Sequence, residues 1–422
     1  MRLVASMVFR NHSINSHKNL AFTLLLLIFC AHGTAAISSE KLESSKVSLK
    51  LIQTLQDGVN GVDGLDNPRS IRVALDNSQI FVTSGDDNSL AIFNIDDQFK
   101  LSFSQVFKNS DSKIKGLEGA SSLTLVDRGN KAIVAGFYDG ALTVFSREND
   151  FFIHSETISN NLSYERVFDS DVPVGELDLL GLLGAWEVIS SKDDKQVLVA
   201  SYMSNSISIF DVKPDATIVF NRSVNNAIPY SQNLGQPVSL ALSPSNDELY
   251  VLGFEEHQLT VFDRDSAGRL KAKQVLKNGV GKVIELLNPQ KILVSPDGKL
   301  LFVASSGSNS IVVFQRGKKG NYKFSQAISD IDVGGSGLSG SSSLALSPDG
   351  FHLYAAGEKG IGLLIFKVSE NGHLKLESRL LNDDTQKNTL EGISSIILSI
   401  DGQHLLLTTA KNDSLLVFEI EI

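Results

Sequence analysis

Residues 292–328 read ILVSPDGKLLFVASSGSNSIVVFQRGKKGNYKFSQAI. Three apolar runs, ILV, LLFVA and IVVF, are rich in β-branched and aromatic residues and too short for helices, which reads as buried strands. Between the first two stands Ser295-Pro296-Asp297-Gly298, a turn in which proline presets φ and glycine takes the left-handed position. Gly307-Ser308-Asn309 separates the second strand from the third. Gly317–Asn321 separates the third from a fourth, Tyr322–Ile328. The stretch is thus a four-stranded antiparallel meander.

The same plan recurs on both sides. LALSPSNDELYVLGFEEHQLTVFDRD and LALSPDGFHLYAAGEKGIGLLIFKVS are close copies, and the turn decays to DRGN at 127–130 and to SIDG at 399–402. The phenylalanine closing the third strand falls at Phe93, Phe145, Phe210, Phe262, Phe314, Phe366 and Phe418. Every interval is 52 residues except the 65 between Phe145 and Phe210. A four-stranded sheet with two apolar faces must cover both, and sheets packed radially do so. Seven units therefore predict an all-β, seven-bladed β-propeller with four-stranded blades. The sequence stops after the third strand of the seventh unit, whereas Lys46–Leu55 is a strand with no unit before it. The N-terminal strand is expected to complete the last blade, closing the ring and covering an edge.

Ahead of that strand lies a different kind of segment. Arg2, Arg10 and Lys18 precede the apolar run Leu20–Ala31, and Gly33-Thr34-Ala35-Ala36 follows it. This pattern predicts a signal peptide over residues 1–36, a linker over 37–45 and the propeller over 46–422, and hence a periplasmic or secreted protein. The run is shorter than a membrane-spanning helix needs, so no membrane span is expected after cleavage. The single cysteine, Cys30, lies inside it, which leaves the rest of the chain without disulfides or cysteine chemistry. The net charge of −10 argues against a nucleic-acid partner.

Two loop sets gather on one face of a propeller: those joining second to third strands, and those leading into each innermost strand. The first set carries Asp86, Asp87, Asp139, Glu255, Glu256, His257, Glu358 and Asp413 against Lys359 and Lys411. The second adds Asp63, Asp66, Glu118, Glu187, Glu285 and Glu391, with Arg69 as its clear cation. Such a mouth is either a solvated acidic rim or a site for a cationic or hydroxyl-rich ligand. On the second reading the ligand-binding residues are Asp63, Asp66, Arg69, Asp86, Asp87, Asp139, Trp186, Glu187, Glu255, Glu256 and His257. No cofactor is assigned. Ca2+ is the ion such oxygens would hold, through Asp86, Asp87 and Glu255, although no EF-hand spacing is present. The thirteen extra residues of the third unit fall within Asn161–Val188, a segment with Arg166, Asp169, Asp171 and Trp186 that would lie over the mouth. The histidines show no metal-ligand spacing, and the expected state is a monomer.

The SPDG turn, the LYV and LFV strands and SNSIVVF resemble the YVTN and lactonase-type seven-bladed propellers. DGVNGVDGLDNPRS followed by DDNSLAIF is similar to a secreted branch of that family. The resemblance covers residues 46–422 and implies the fold. The family includes 6-phosphogluconolactonases and a fungal carboxymuconate cycloisomerase, whose enzymes carry a Gly-Pro-Arg-His type motif entering an innermost strand. Here only Asn67-Pro68-Arg69-Ser70 comes near it, without the histidine, so no catalytic residue transfers. The leading expectation is accordingly an exported propeller that binds a small molecule or a protein at its channel mouth without chemistry. The alternative is a lactonase-like hydrolase. In it Arg69 would polarise the carbonyl, Glu187 or Glu391 would activate water, and His257 would be a reserve base. A cofactor-bearing redox subunit is a third option, which would need a partner to supply the cofactor.

Overall fold

In the computed structural model the described residues are 46–421, apart from 112, 161–177, 226–233, 336 and 383–388. The predicted leader and linker, Cys30, and Arg166, Asp169 and Asp171 of the third-unit insertion lie outside them. The described chain forms seven four-stranded antiparallel sheets. Blade 1 comprises Pro68–Val73, Gln79–Ser84, Ser89–Ile95 and Leu101–Lys108, from the innermost strand outwards, and blades 2 to 6 repeat the plan. Blade 7 takes its inner three strands from the C-terminal end and its outermost from Ser48–Gln56. That strand pairs antiparallel with Ser414–Glu421, from Ser48 opposite Glu421 to Gln56 opposite Ser414. The sheet count and the closure match the repeat reading.

The described residues share no single central core. Seven apolar clusters fill the seven interfaces between neighbouring blades. The second strand of each blade supplies both of its faces; Gln79–Ser84, Gln196–Ser201 and Leu300–Ser305 are buried along their whole length. The periodic phenylalanines are the anchors, and none of the seven exceeds 3% exposure. This is why 52-residue spacing survives: each phenylalanine completes the interface with the same neighbour.

A second ring of side chains sets the mouth. The residue just before every innermost strand has positive φ: Asn67, Gly119, Gly184, Gln236, Asn288, Gly340 and Gly392. Two residues before it stands a leucine at 0–1% exposure, from Leu65 to Leu390. The leucine nails the loop to the blade interface, and the left-handed residue turns the chain abruptly into the channel wall. The second residue of each innermost strand then lies at a register shift, left out of the pairing with the next strand. Bulges of this kind re-aim one side chain, and here the fold makes seven, all at the same height.

Candidate active site in the channel mouth

The seven bulge residues are Arg69, Ser121, Trp186, Val238, Gln290, Ser342 and Ser394. All of them line one cavity of about 450 Å³ at the channel mouth. The following residue adds Ser70, Ser122, Glu187, Lys291, Ser343 and Ser395, and the adjoining loops add Asn67, Asp86, Phe137, Tyr138 and Glu358. The size falls within the range of small-molecule sites, and the lining mixes apolar and charged groups as such sites do.

Charges in the cavity are arranged in pairs. Arg69 Nη1 donates to Glu358 Oε1 at 3.2 Å, both side chains being roughly two-fifths exposed. Deeper in the channel, the Lys291 ammonium is bound to Glu187, whose other oxygen accepts the Leu240 N–H at 2.5 Å. The Glu187 side chain is only 7% exposed. Arg72 also reaches the cavity. Burial lowers its pKa, and the field of Glu187 partly opposes that shift. The cavity therefore sets three cations, Arg69, Arg72 and Lys291, against three carboxylates, Asp86, Glu187 and Glu358, rather than the excess of carboxylates expected from the loops.

The other sequence-predicted residues are placed as follows. Asp86 is in the cavity and accepts from Asn67 Nδ2 at 2.9 Å. Asp63 and Asp87 both hold the Lys108 ammonium at 2.7 Å. Burial alone would lower the pKa of Lys108, but the hydrogen bonds to these two carboxylates more than reverse the effect and raise it. Asp57, Asp63 and Asp87 form the acidic group whose oxygens come within 4.8 Å of one another among the described residues. A protein ammonium already sits against two of its members. The calcium candidates are not brought together: Asp86 points to Asn67, and Glu255 accepts from the Tyr202 hydroxyl at 2.7 Å. Burial and the Glu255 carboxylate push the Tyr202 phenol up to about 12. The Asp66 carboxyl is raised by burial and then by Asp413, Asp86, Asp87 and Asp57 around it. Asp139 accepts the Glu118 N–H at 2.8 Å, Glu256 pairs with Lys277, and Glu391 with Lys411 at 3.8 Å.

His257 sits at φ 53°, and its Nδ1 accepts the Asn288 N–H at 3.0 Å. Asn88, Asn205, Asn309 and Asp413 occupy the same register in other blades, and each accepts an N–H at the entry to the next blade. The histidine is thus built into an interblade latch, and neither it nor Glu391 lines the cavity. Arg69, Asp86, Trp186 and Glu187 do. Arg72 and Lys291 lie within innermost strands and not on the loops, so the loop composition did not reveal them. Aligning the seven innermost strands at their second and third residues would have found Lys291 and the serines.

Comparison with known proteins gives this geometry its context. The family described as "Lactonase, 7-bladed beta-propeller" matches residues 183–380. A 6-phosphogluconolactonase of Xenorhabdus nematophila is 22% identical over 227 residues, covering 53% of this chain and 62% of that protein. One from Yersinia enterocolitica is 23% identical with the same coverage. The chain thus spans about three-fifths of the length of the curated relatives it matches. Among solved structures, the periplasmic gluconolactonase of Pseudomonas aeruginosa has a TM-score of 0.59 at 16% identity, covering 80% of this chain and 96% of that one. Hydrazine synthase of Kuenenia stuttgartiensis superposes equally well, with a TM-score of 0.59 at 15% identity over 86% of this chain and 99% of that one, so the superposition speaks for fold alone. The named sequence relatives overturn the leading expectation of a binding propeller without chemistry. They are 6-phosphogluconolactonases, and they point to the lactonase-like hydrolase that was the alternative reading. The seven four-stranded blades and the sequence match over residues 183–380 make the chain similar to the lactonase-like seven-bladed β-propeller family.

Proposed function

We propose that the protein hydrolyses a lactone, sugar-derived in character, at the channel mouth. The observation that supports this reading is the Arg69–Glu358 pair on the wall of a cavity of small-molecule size. Lactone opening needs a cationic donor where carbonyl oxygen charge grows, and a base for the attacking water. Arg69 offers the donor. Glu358 takes a proton as the water oxygen bonds to the carbonyl carbon, and the resulting oxyanion rests against the guanidinium. The ring C–O bond then breaks, the leaving alkoxide takes the proton back from Glu358, and an open hydroxy acid results. Exposed ion pairs are worth ~0–1 kcal/mol, so a substrate parts Arg69 from Glu358 at small cost. Glu187 is committed to Lys291 and to the Leu240 amide, and it organises the channel wall instead of serving as the base.

The test is hydrolysis of glucono-1,5-lactone and related lactones above their spontaneous rate. Arg69→Ala and Glu358→Gln are each expected to lower kcat/KM by roughly 100-fold or more. A rate indifferent to both substitutions would refute the mechanism. The basic-apolar-small pattern of residues 1–36 supports export to the periplasm or medium. N-terminal sequencing of the accumulated protein tests it: a mature chain still starting at Met1 would reject cleavage.

A further inference from the structure

One side of the mouth is aromatic. Tyr138 and Trp186 are 45% and 37% exposed. The ring of Phe137 stands 5.0 Å from Tyr138 and 5.6 Å from Trp186, nearly perpendicular to both, and Tyr202 lies 6.2 Å beyond Trp186. The wall is held in place by the backbone. A Cβ on Gly119 would meet the Tyr138 ring at 2.6 Å, and Gly119 has φ +65°, so only glycine lets that ring lie where it does. Large exposed rings on a fixed wall are costly to leave in water and mark binding surfaces.

The rest of the same cavity is different. Gln290, Ser342 and Ser395 come from blades 5, 6 and 7, and the Ser342 hydroxyl has no hydrogen-bond partner among the described residues. Arg69, Arg72 and Lys291 are matched in number by Asp86, Glu187 and Glu358, which leaves no surplus of positive charge for a dianion. A pyranose ring matches both halves: one face is C–H, the edge is hydroxyl, and the charge is zero.

We propose that Tyr138, Phe137 and Trp186 form a subsite for an uncharged pyranose attached to the lactone. The ligand is then the lactone end of a disaccharide or longer neutral sugar, not a phosphorylated monosaccharide. That the ligand is a substrate rests on the hydrolase reading; that it binds here does not.

Trp186 is the only tryptophan, so its emission reports on this wall alone. Cellobiose, glucose and glucose 6-phosphate, none of them hydrolysable lactones, are titrated against the full chain. Cellobiose is expected to shift the emission saturably, with a Kd roughly tenfold below that of glucose, and glucose 6-phosphate to bind no better than glucose. Calorimetry on Tyr138→Ala should show cellobiose weakened about fivefold or more, with the folded melting profile retained. Equal affinity for cellobiose and glucose, or tightest binding of glucose 6-phosphate, overturns the subsite. A protein that binds cellobiose as described but opens no lactone keeps the subsite and removes only the catalytic reading.

Discussion

Asn309 shows how much one side chain does in this ring. It sits at φ 52°, and its Oδ1 accepts the Gly340 N–H of the next blade at 2.7 Å. Two demands meet there: a left-handed backbone, which asparagine tolerates better than most residues, and a carbonyl aimed across the blade interface. Asn309→Ala fails both, while Asn309→Gly fails only the second. Urea unfolding should show a loss of about 2 kcal/mol for alanine and about 1 kcal/mol for glycine. Equal losses would mean the backbone conformation is not what the asparagine supplies; no loss for either would deny the latch. The same register explains His257. Met in sequence, it is a lone histidine in an acidic loop and invites a catalytic role. Its place in the repeat, where other blades carry Asn or Asp, shows its duty. Glu187 was legible as a carboxylate of the channel mouth, but not its partnership with Lys291, because the two stand 104 residues apart in the chain. Repetition specifies which positions are equivalent; it does not specify which unlike residues meet across the pore.

At the level of strands, nearly everything regular was legible, since alternating turns and apolar runs recur with one period. What repetition hides is the stitching between blades, because its partners belong to different copies. The end of a third strand reaches back to the start of the preceding blade's second strand in three places. Arg147 donates to Gln79 at 2.6 Å, Arg264 to Gln196, and Arg316 to Glu248 at 2.8 Å. Each pair is 68 residues apart, one period and a hairpin. Arg316 also lies over the Tyr322 ring, and Glu248 gathers Lys273 at 2.5 Å and the Tyr250 hydroxyl at 2.8 Å, so its buried charge is fully partnered. In the next interface the equivalent residues are Leu300 and Val368, and the clasp is apolar. Where the third unit is longer, the loop's return is pinned by Asp178, 5% exposed, whose two oxygens accept the Leu182 and Leu183 N–H groups at 3.0 Å. In other blades Asp57, Asn109, Asn278 and Asn382 hold the equivalent leucine amide from eight residues upstream. The insertion displaced the pin without removing it, which keeps Trp186 at the same height as the other bulge residues.

Across the whole molecule, the ring is closed by one strand that serves three blades. Ser48–Gln56 completes blade 7. Val47, 1% exposed, lies in the cluster between blades 6 and 7, and its carbonyl accepts the Ser378 hydroxyl at 3.1 Å. Gln53 brackets Leu101 of blade 1, donating to its carbonyl at 2.8 Å and accepting its N–H at 2.7 Å. Gln105, Gln274 and Gln326 make the same bracket between other neighbours, so the closing strand uses the grammar of an ordinary outer strand although it comes from the opposite end of the chain. Removing residues 46–56 would therefore do more than shorten a sheet. It would leave Ser414–Glu421 as an open edge, uncover the clusters on both sides of blade 7 and let blades 7 and 1 part, widening the mouth at Arg69. The truncated chain should aggregate or melt at least about 5 °C lower, with a broader transition. By contrast, Lys50→Ala, which deletes only the exposed ion pair to Glu419, should leave the midpoint where it was. If the truncated protein melts like the full one, closure resides in the blade interfaces alone and the first strand is an ornament on a ring that already holds. If Lys50→Ala reproduces the loss, charge pairing holds the clasp, and the backbone ladder and buried Val47 do not.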